Sequence, residues 1–433
     1  MTMSKEPVRP AVWAVTIAVA FSYMGVGVVD PILPEISSAL KASPGQTELL
    51  FSTYLFVSAA LMFFASWVAT RIGRKKTLLV GLAIIVTFAA ACALSGHVDL
   101  IIGFRGGWGV GNALFVSTAL ATVLGASAEP RRAIMLYEGA LGAGMALGPL
   151  VGGALGSISW RGPFLGTAVL MAVGLIAIVL FVPPTPVERS ARRSAIEPFR
   201  ALVDSRVSIL MLAALVYNYG YFTLLAYAPF PVAEASIRAG GQFTPLDLGL
   251  VFFGWGLMVA LGSVWLCPRG CGHVGIRRTV AVTLILFTID EIVLATWISP
   301  IPQVIGVVLG GLLIGIINTA MTEIVMSASD IQREVASSAY SGVRFLGGAC
   351  APTLAGALSS MWGIGGPYYI GAVALVLTII LLWIDRQRRM QMTAHSVALG
   401  GSPQRPGSGL VDEHSPGAMR KRCPGTFVLF DGD

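Results

Sequence analysis

Residues 139–157 read GALGAGMALGPLVGGALGS, and a weaker copy of this stretch recurs 203 residues later in the chain. Small residues at positions 140, 144, 148, 152 and 156 fall at four-residue spacing, which places them on one face of a helix. Such a face lets a neighbouring helix approach almost backbone to backbone inside a bilayer. Pro149 leaves the carbonyl of Met145 without its helical hydrogen bond. The stretch therefore predicts a tightly packed, locally weakened helix, which suits a moving transport protein better than a soluble enzyme core.

The composition predicts an all-α integral membrane protein. Hydrophobic residues make up 55% of the chain and charged residues only 12%, whereas a soluble domain has about 25% charged residues. The first apolar run is too long for a cleavable signal peptide, so we expect it to be the first span. Apolar runs long enough to cross a layer of ~30 Å predict twelve spans, near residues 12–35, 47–68, 78–96, 99–122, 133–157, 163–182, 206–229, 247–267, 279–298, 302–326, 335–359 and 367–384.

The distribution of basic residues predicts the orientation of these spans. Most Lys and Arg fall in loops on one side of the membrane, and the other side has only Lys41, Arg161 and Arg238. By the positive-inside rule the basic side is cytoplasmic, with both termini inside a multi-pass protein of the inner (plasma) membrane. The net charge of +7 is then a topology signal and indicates no nucleic-acid partner.

The copied stretch also predicts the domain organisation. Tyr137, Gly144 and Pro149 match Tyr340, Gly347 and Pro352, so span five corresponds to span eleven. Two parallel six-helix repeats follow. We predict one bundle over 1–182, a charged cytoplasmic linker over 183–205 with a short helix at 196–203, and a second bundle over 206–390. Residues 391–433 are rich in Gly, Pro and Ser, which predicts a disordered cytoplasmic tail.

The loop between spans two and three carries four basic or glycine residues in a signature order: Arg71, Gly73, Arg74 and Lys75. With its neighbours, this loop resembles the cytoplasmic loop signature G-x-L-A-D-R-x-G-R-K-x-x-L of the major facilitator superfamily. Ser66 replaces the leading glycine and Thr70 the aspartate. The family's charge latch, which uses this aspartate, must therefore differ here.

Two further motifs strengthen the resemblance. In span four, Arg105, Gly109 and Gly111 resemble the family's R-x-x-Q-G-x-G motif, with Trp108 in place of glutamine. Span five resembles the family's antiporter motif and matches it at every position: Gly144, Gly148, Pro149, Gly152 and Gly153. The resemblance covers about residues 10–388 and is closest to the bacterial twelve-span drug:proton antiporters, which include multidrug resistance proteins. It implies the major facilitator fold and export of lipophilic or cationic small molecules in exchange for protons.

Three charged residues in predicted spans are candidates for proton coupling. Asp30 and Arg105 each lie about five residues from the outer end of a span, or roughly 7–8 Å inside it. They could pair across the centre, either as part of a proton relay or as a static ion pair. Glu138 lies near the inner end of span five, where it could carry protons, bind cationic drugs or snorkel to the interface. The sequence leaves open whether Asp30 or Glu138 is the main carrier.

Other polar residues in the spans are candidates for the substrate cavity: Asn112, Tyr217, Asn218, Tyr221, Asn318 and Arg344. The tyrosines could accept flat or cationic ligands, whereas interhelical hydrogen bonding is the simpler role for the asparagines. Arg344 could pair with Glu323 within the second half, as a bridge or a gate. Asp290 and Glu291 lie in span nine, which is peripheral in the family that the sequence resembles. We expect at least one of them to face the bundle for a structural reason.

The remaining features predict no catalytic chemistry and no cofactor. The sequence lacks a phosphate-binding glycine loop, which leaves ATP drive unsupported. Cys267, Cys271 and His273, expected in a short loop, do not make a complete metal-ligand set. We expect a monomer in the lipid bilayer whose partners are small-molecule substrates and protons. The alternative is a proton-coupled uptake or efflux carrier for a sugar or other small metabolite, against which the antiporter motif argues.

Overall fold

The computed structural model describes residues 10–28, 36, 39–42, 44–127, 129–184, 197–203, 207–241, 245–328 and 333–398. All regular secondary structure within these ranges is helical. Asp30, most of the predicted linker and residues 399–433 of the predicted tail lie outside the described residues.

The first half of the chain contains six long helices: α1 (Pro10–Gly27), α2 (Pro44–Ile72), α3 (Arg74–Leu94), α4 (Val98–Ala126), α5 (Pro130–Gly156) and α6 (Gly162–Phe181). The short helix predicted in the linker is confirmed as α7 (Glu197–Val203). The second half contains α8 (Ser208–Tyr227), α9 (Pro229–Arg238), α10 (Pro245–Leu261), α11 (Cys267–Val274), α12 (Ile276–Thr296), α13 (Pro300–Ala328), α14 (Arg333–Trp362) and α15 (Gly366–Ala398).

Two boundaries differ from the sequence-based expectation. Span seven stops at Tyr227, because Pro229 begins a separate helix, as proline does at a first helical position. Span eight runs further than predicted, since a π-helical segment over Gly262–Leu266 connects α10 to α11. Cys267 and Cys271 therefore lie on a helix, and the prediction of a short loop at these residues was wrong.

Eleven of the described helical segments are long and apolar enough to cross a membrane. The long helix outside this set is α14, which has 30 residues but carries Arg344 and a run of buried serines at Ser337, Ser338 and Ser341. These polar groups face other helices, so α14 needs less apolar surface than a helix that faces lipid. With α14 as the twelfth span, the predicted all-α membrane fold is confirmed.

The helix pairings of the first half recur in the second half. α1 packs on α5 as α8 packs on α14, and α2 packs on α4 as α10 packs on α13. The halves meet where α5 lies against α10 and where α2 lies against α14. Among the described residues, those up to 385 form one compact unit, and those from 386 onward belong to another. The boundaries of the two predicted bundles stay a prediction.

The structure shows a second feature that the two halves share, at the start of α3 and of α12. Gly73 and Gly275 precede α3 and α12 with nearly identical backbone angles, φ 87° and 86°. This left-handed region suits glycine and strains other residues. Thr77 and Thr279, four residues later, each donate a hydrogen bond of 3.0 Å to the glycine's carbonyl. The shared spacing Gly-x-x-x-Thr was the available signal, and it makes the loop before α12 a structural copy of the basic loop before α3.

The glycines of α5 form a seam with α1. Gly144 and Gly148 lie directly against the α1 backbone, and a Cβ atom on Gly148 would be 2.7 Å from the carbonyl oxygen of Met24. Gly152 lies against the backbone of Val28, directly after α1. Nothing lies within 4 Å of a Cβ on Gly153, which faces away. The predicted close approach is thus present at three positions, and the role of these residues in antiport stays a prediction.

The second half repeats this arrangement. Gly347, the counterpart of Gly144, lies against the carbonyl of Leu215 in α8, and Gly356, the counterpart of Gly153, faces open space. Both halves therefore use the same small residues for the same contact between their first and fifth spans.

Gly148→Leu should lower the stability of the protein, whereas Gly153→Leu should leave it unchanged. The leucine at 148 would force α5 away from α1 at a cost of about 1–3 kcal/mol or more. Thermal unfolding of the purified variants in detergent, followed by size-exclusion chromatography, measures the difference. Equal melting temperatures for the two variants would mean that the seam tolerates separation.

Candidate functional site

A buried ion pair joins the two halves of the chain. Glu138 on α5 accepts a hydrogen bond of 2.9 Å from Nη1 of Arg344 on α14, and the second carboxylate oxygen lies 3.5 Å from Nη2. Their side chains are 1% and 8% exposed. The predicted pairing of Arg344 with Glu323 is therefore wrong. Glu323 instead pairs with Arg131, across 3.2 Å and with much greater exposure.

Hydrogen bonds extend this ion pair into the second half. Thr322 donates to Oε1 of Glu138 over 2.8 Å, and its hydroxyl lies 3.2 Å from that of Tyr340. The Tyr340 hydroxyl is 3.3 Å from that of Tyr217, which donates to Asn318 over 3.0 Å. We call this set the central network: Glu138, Tyr217, Asn318, Thr322, Tyr340 and Arg344.

The central network is asymmetric between the two halves. Glu138 is its one member from the first half, and the other five members lie on α8, α13 and α14. The charges of Glu138 and Arg344 cancel, and the hydroxyl of Thr322 satisfies a further lone pair of the carboxylate. A buried ion pair needs such additional hydrogen bonds to offset the desolvation of both charges. Separating the halves at this point would leave Glu138 without its partner.

Aromatic and sulfur-containing side chains surround the central network. The rings of Tyr23 on α1 and Phe345 on α14 are 6.4 Å apart, which brings the two halves into contact again. Tyr221 stacks on Trp255, with ring centroids 6.2 Å apart. Its hydroxyl donates to the sulfur of Met145 on α5 over 3.1 Å. These surroundings are aromatic and polarisable, and their polar atoms are mostly tyrosine hydroxyls.

Arg105 lies in a separate site within the first half. Its side chain is 0% exposed, and its Nε donates to the carbonyl of Leu50 over 3.0 Å. The guanidinium lies 4.5 Å from the ring centre of Tyr54 and 4.9 Å from that of Trp108. Trp108, which departs from the family pattern, thus provides a face for a cation–π contact. The predicted partner, Asp30, lies outside the described residues, so their pairing stays a prediction.

The three candidate asparagines have different surroundings. Asn112 accepts a hydrogen bond of 2.9 Å from Ser22, which links α4 to α1. Asn218 donates within its own helix, to the carbonyl of Ala214. Among the described residues, neither Asn112 nor Asn318 has a partner for its Nδ2 group.

The end of the bundle at which Arg71, Arg131 and Arg333 lie is here called the basic end. Hydrogen bonds between the halves close it: Arg333 donates to the carbonyl of Leu124 over 3.1 Å, and Ser337 to that of Ser117 over 2.7 Å.

Ser338 adds a contact between the halves, with α2. Its hydroxyl donates to the carbonyl of Met62 and accepts from the backbone N–H of Ser66. Ser66 stands where the family loop signature has glycine, and its backbone is held against α14.

The basic loop is held within the first half. Lys75 donates to the carbonyl of Val179 over 2.9 Å, and the guanidinium of Arg71 lies 5.1 Å from the ring centre of Trp67. Thr70 donates to the carbonyl of Trp67 in its own helix. Without a carboxylate at position 70, the contact seen there is a local hydrogen bond.

The sequence analysis missed Thr322 and Tyr340 as members of the central network. Tyr340 had a signal, because it matches Tyr137 in the internal repeat and both are buried next to the ion pair. No sequence signal marked Thr322, since a threonine in an apolar span usually donates its hydrogen bond to a backbone carbonyl of its own helix.

Arg344→Met should destabilise the protein by about 3–5 kcal/mol, because it leaves Glu138 buried without a countercharge. The double variant Glu138→Gln/Arg344→Met should recover most of that loss. Glu323→Gln is the matched control, since the half-exposed pair with Arg131 should contribute only about 0–1 kcal/mol. Thermal unfolding of the three variants in detergent measures these differences. A double variant no more stable than Arg344→Met would contradict the pairing.

Comparison with known proteins gives the family. The family model described as Major Facilitator Superfamily matches residues 15–266. The chain is 42% identical over 379 residues to the multidrug efflux protein YfmO of Bacillus subtilis (strain 168), which covers 87% of this chain and 93% of that protein. It is 27% identical over 254 residues to the tetracenomycin C resistance and export protein of Streptomyces glaucescens, covering 54% and 47% of the two chains.

A solved structure supports the same fold. The human organic anion transporter MFSD10 (TETRAN) matches 87% of this chain and 100% of its own, with a TM-score of 0.73 at 18% identity. At that identity the likeness concerns the fold alone. Together with the family match and the eleven apolar helices, these findings describe a multi-pass protein of the plasma membrane, and the chain belongs to the Major Facilitator Superfamily.

Proposed function

We propose that this protein is a secondary active transporter that exports lipophilic, often cationic, small molecules in exchange for protons. The observation that carries the proposal is the buried Glu138–Arg344 pair, because its two members belong to different halves of the chain. In this fold, alternating access moves one half against the other. Each cycle would then separate a carboxylate from its countercharge.

Separation of the pair supplies a coupling mechanism. Once Arg344 moves away, Glu138 is in a site with few polar groups and needs another positive charge. A proton and a cationic substrate can each provide it, but not both at once, and this competition is the basis of exchange. When the basic end closes, the return of Arg344 releases a bound substrate to the other side. A proton from that side then replaces Arg344 on the carboxylate, and the next substrate displaces this proton after the basic end reopens.

The surroundings of the pair support a lipophilic substrate. Tyr23, Tyr221, Trp255 and Phe345 offer aromatic faces that bind flat or cationic molecules. Met145 adds a flexible, polarisable side chain that adapts to different shapes. The free amide donors of Asn112 and Asn318 would orient a substrate with a carbonyl or ether group. Generic surfaces of this kind favour a range of substrates over one.

The relatives support the same direction of transport. One is described as a multidrug efflux protein and another as a resistance and export protein. The intact antiporter motif on α5 agrees with exchange for protons. We further propose that the basic end faces the cytoplasm with both termini, that the protein works as a monomer, and that it performs no covalent chemistry.

Efflux should depend on a proton gradient. Purified protein in liposomes loaded with a cationic dye should expel it when the dye-receiving side is made acidic, and collapse of the gradient with an ionophore should stop the efflux. Dye export that is indifferent to the gradient, or transport of a sugar in place of dyes, would overturn the proposal.

Glu138→Gln should remove most of the gradient-driven efflux of a cationic dye, because the amide neither carries a proton nor balances the charge of the dye. A neutral dye of similar size should be affected less, because it does not need the carboxylate. Glu323→Gln is the control and should transport both dyes normally. Equal losses for both dyes would assign Glu138 a structural role.

Asp30 and Arg105 remain the second candidates for proton coupling. Asp30→Asn should insert normally but lose uphill efflux, while it keeps downhill exchange of substrate. If Asp30→Asn exports dye against its gradient as well as the wild type does, Asp30 is structural and Glu138 is left as the candidate carrier.

A further inference from the structure

Two adjacent carboxyl groups outside the central network, those of Asp290 and Glu291, lie on α12. The buried residues of this helix include Val280, Leu284, Phe287 and Leu294, and Glu291 falls on the same face at helical spacing. The side chain of Glu291 is 0% exposed, and Asp290 lies at its flank. The opposite face of α12 carries exposed apolar residues such as Ile285 and Ile289, which suits contact with lipid. Glu291 therefore points into the helices of the second half, away from the side of α12 that suits contact with lipid.

Glycines on two neighbouring helices make room for these carboxyl groups. A Cβ atom on Gly371 of α15 would overlap the Glu291 carboxylate. Cβ atoms on Gly306 and Gly310 of α13 would each lie 3.1 Å from a carboxylate oxygen of Asp290. Any larger residue at 371 would collide with Glu291 in its present position. The packing of α12, α13 and α15 is thus shaped around the two acids.

The described residues provide no hydrogen bond to either oxygen of Glu291 or to Oδ2 of Asp290. The titratable groups that face the pair are Tyr219 on α8 and Tyr368 on α15, and the ring of Tyr227 on α8 packs in turn against that of Tyr368. Tyr219 also faces the thiol of Cys350 on α14. The helix α13 contributes Gly306, Gly310 and Gln303, whose side-chain amide donates a hydrogen bond to the carbonyl of Leu294. Within the described part of the chain, the charged group next to Glu291 is Asp290, which is of the same sign.

Two adjacent carboxylates cannot both stay ionised in an apolar interior that offers no cation, because the cost of desolvation and repulsion is far too large. Protons neutralise them most simply. A second observation points the same way: the hydroxyl of Tyr368, which is 0% exposed, has no partner among the described residues. This hydroxyl lies near Glu291 and can donate a hydrogen bond to its carboxylate once the proton has left.

We propose that Glu291, together with Asp290, is a proton-binding site of the second half, loaded in this conformation and distinct from the central network. Glu291 lies about 8 Å from the end of α12 that is opposite the basic end. Water that enters between α12 and α15 at that end would take up the proton, and Tyr368 would then donate to the carboxylate. The site goes beyond the proposed exchange mechanism and does not depend on it.

Infrared difference spectroscopy of the full-length protein in lipid tests the proposal. A pH change should alter the carbonyl stretching band of protonated carboxyl groups in an apolar environment. Glu291→Gln should remove most of that band, whereas Glu323→Gln should leave it in place. The wild-type band should disappear reversibly as the pH is raised. An unchanged band in Glu291→Gln would overturn the proposal, as would a band that persists at every pH at which the protein stays folded.

Tyr368→Phe provides a test that survives if Glu291→Gln fails to fold. Loss of the donor removes one hydrogen bond from the charged form, so the midpoint of the carboxyl titration should rise by roughly one to two pH units. An unchanged midpoint would contradict the role given to Tyr368 and to an ionised Glu291. Loss of the band on addition of sodium at constant pH would instead identify a metal-cation site and overturn the assignment to protons.

The same samples separate this inference from the proposed function. If wild-type protein shows the Glu291 band but exports no dye, the exporter proposal fails and the proton site stands. If dye export is normal but the band is absent, the reverse holds.

Discussion

The buried contact between Glu138 and Arg344 is the interaction on which the centre of this molecule depends. It places a full negative charge from the first half against a full positive charge from the second half, at a depth where water does not reach either. Thr322 donates a hydrogen bond to the carboxylate, and the hydroxyls of Tyr340 and Tyr217 continue the network beyond Thr322. Such a pair contributes little to net stability, but breaking it costs a great deal. Any rearrangement that separates the two halves at this point must therefore supply another partner for each charge.

Close helix packing makes this arrangement possible. In lipid, helices gain little from hydrophobic association and are held by van der Waals contact and hydrogen bonds. Gly144, Gly148 and Gly152 bring α5 directly onto α1, and Gly347 does the same for α14 on α8. The two helices that carry Glu138 and Arg344 are thus each fixed to the first helix of their own half. The ion pair itself lies at the contact between the halves.

The protein deals with its buried charges in three different ways. Glu138 and Arg344 neutralise each other across the two halves, and the guanidinium of Arg105 lies over the rings of Tyr54 and Trp108. Asp290 and Glu291 have neither arrangement within the described residues, and glycines on α13 and α15 leave space for them. Each solution follows from the same constraint, that a charge in this interior must be paired, stacked or neutralised by a proton.

The sequence by itself determined the number of spans, the internal repeat, the family and the glycine seam. Those features are local or periodic: apolar runs, four-residue spacing and an offset of 203 residues are all visible along one chain. The sequence also singled out Glu138 and Arg344 as unusual, since ionisable residues inside apolar spans are costly. It assigned Arg344 the wrong partner, because Glu323 is closer along the chain and lies in the neighbouring span.

Only the tertiary structure decided which charges meet. The partner of Arg344 lies 206 residues away, and no local rule links two helices from different halves. The same holds for Gly371, whose absent side chain leaves room for Glu291 on another helix, and for Ser338, which joins α14 to α2. Periodicity fixes which face of a helix is buried, whereas the packing of helices across the whole bundle fixes which buried face it meets.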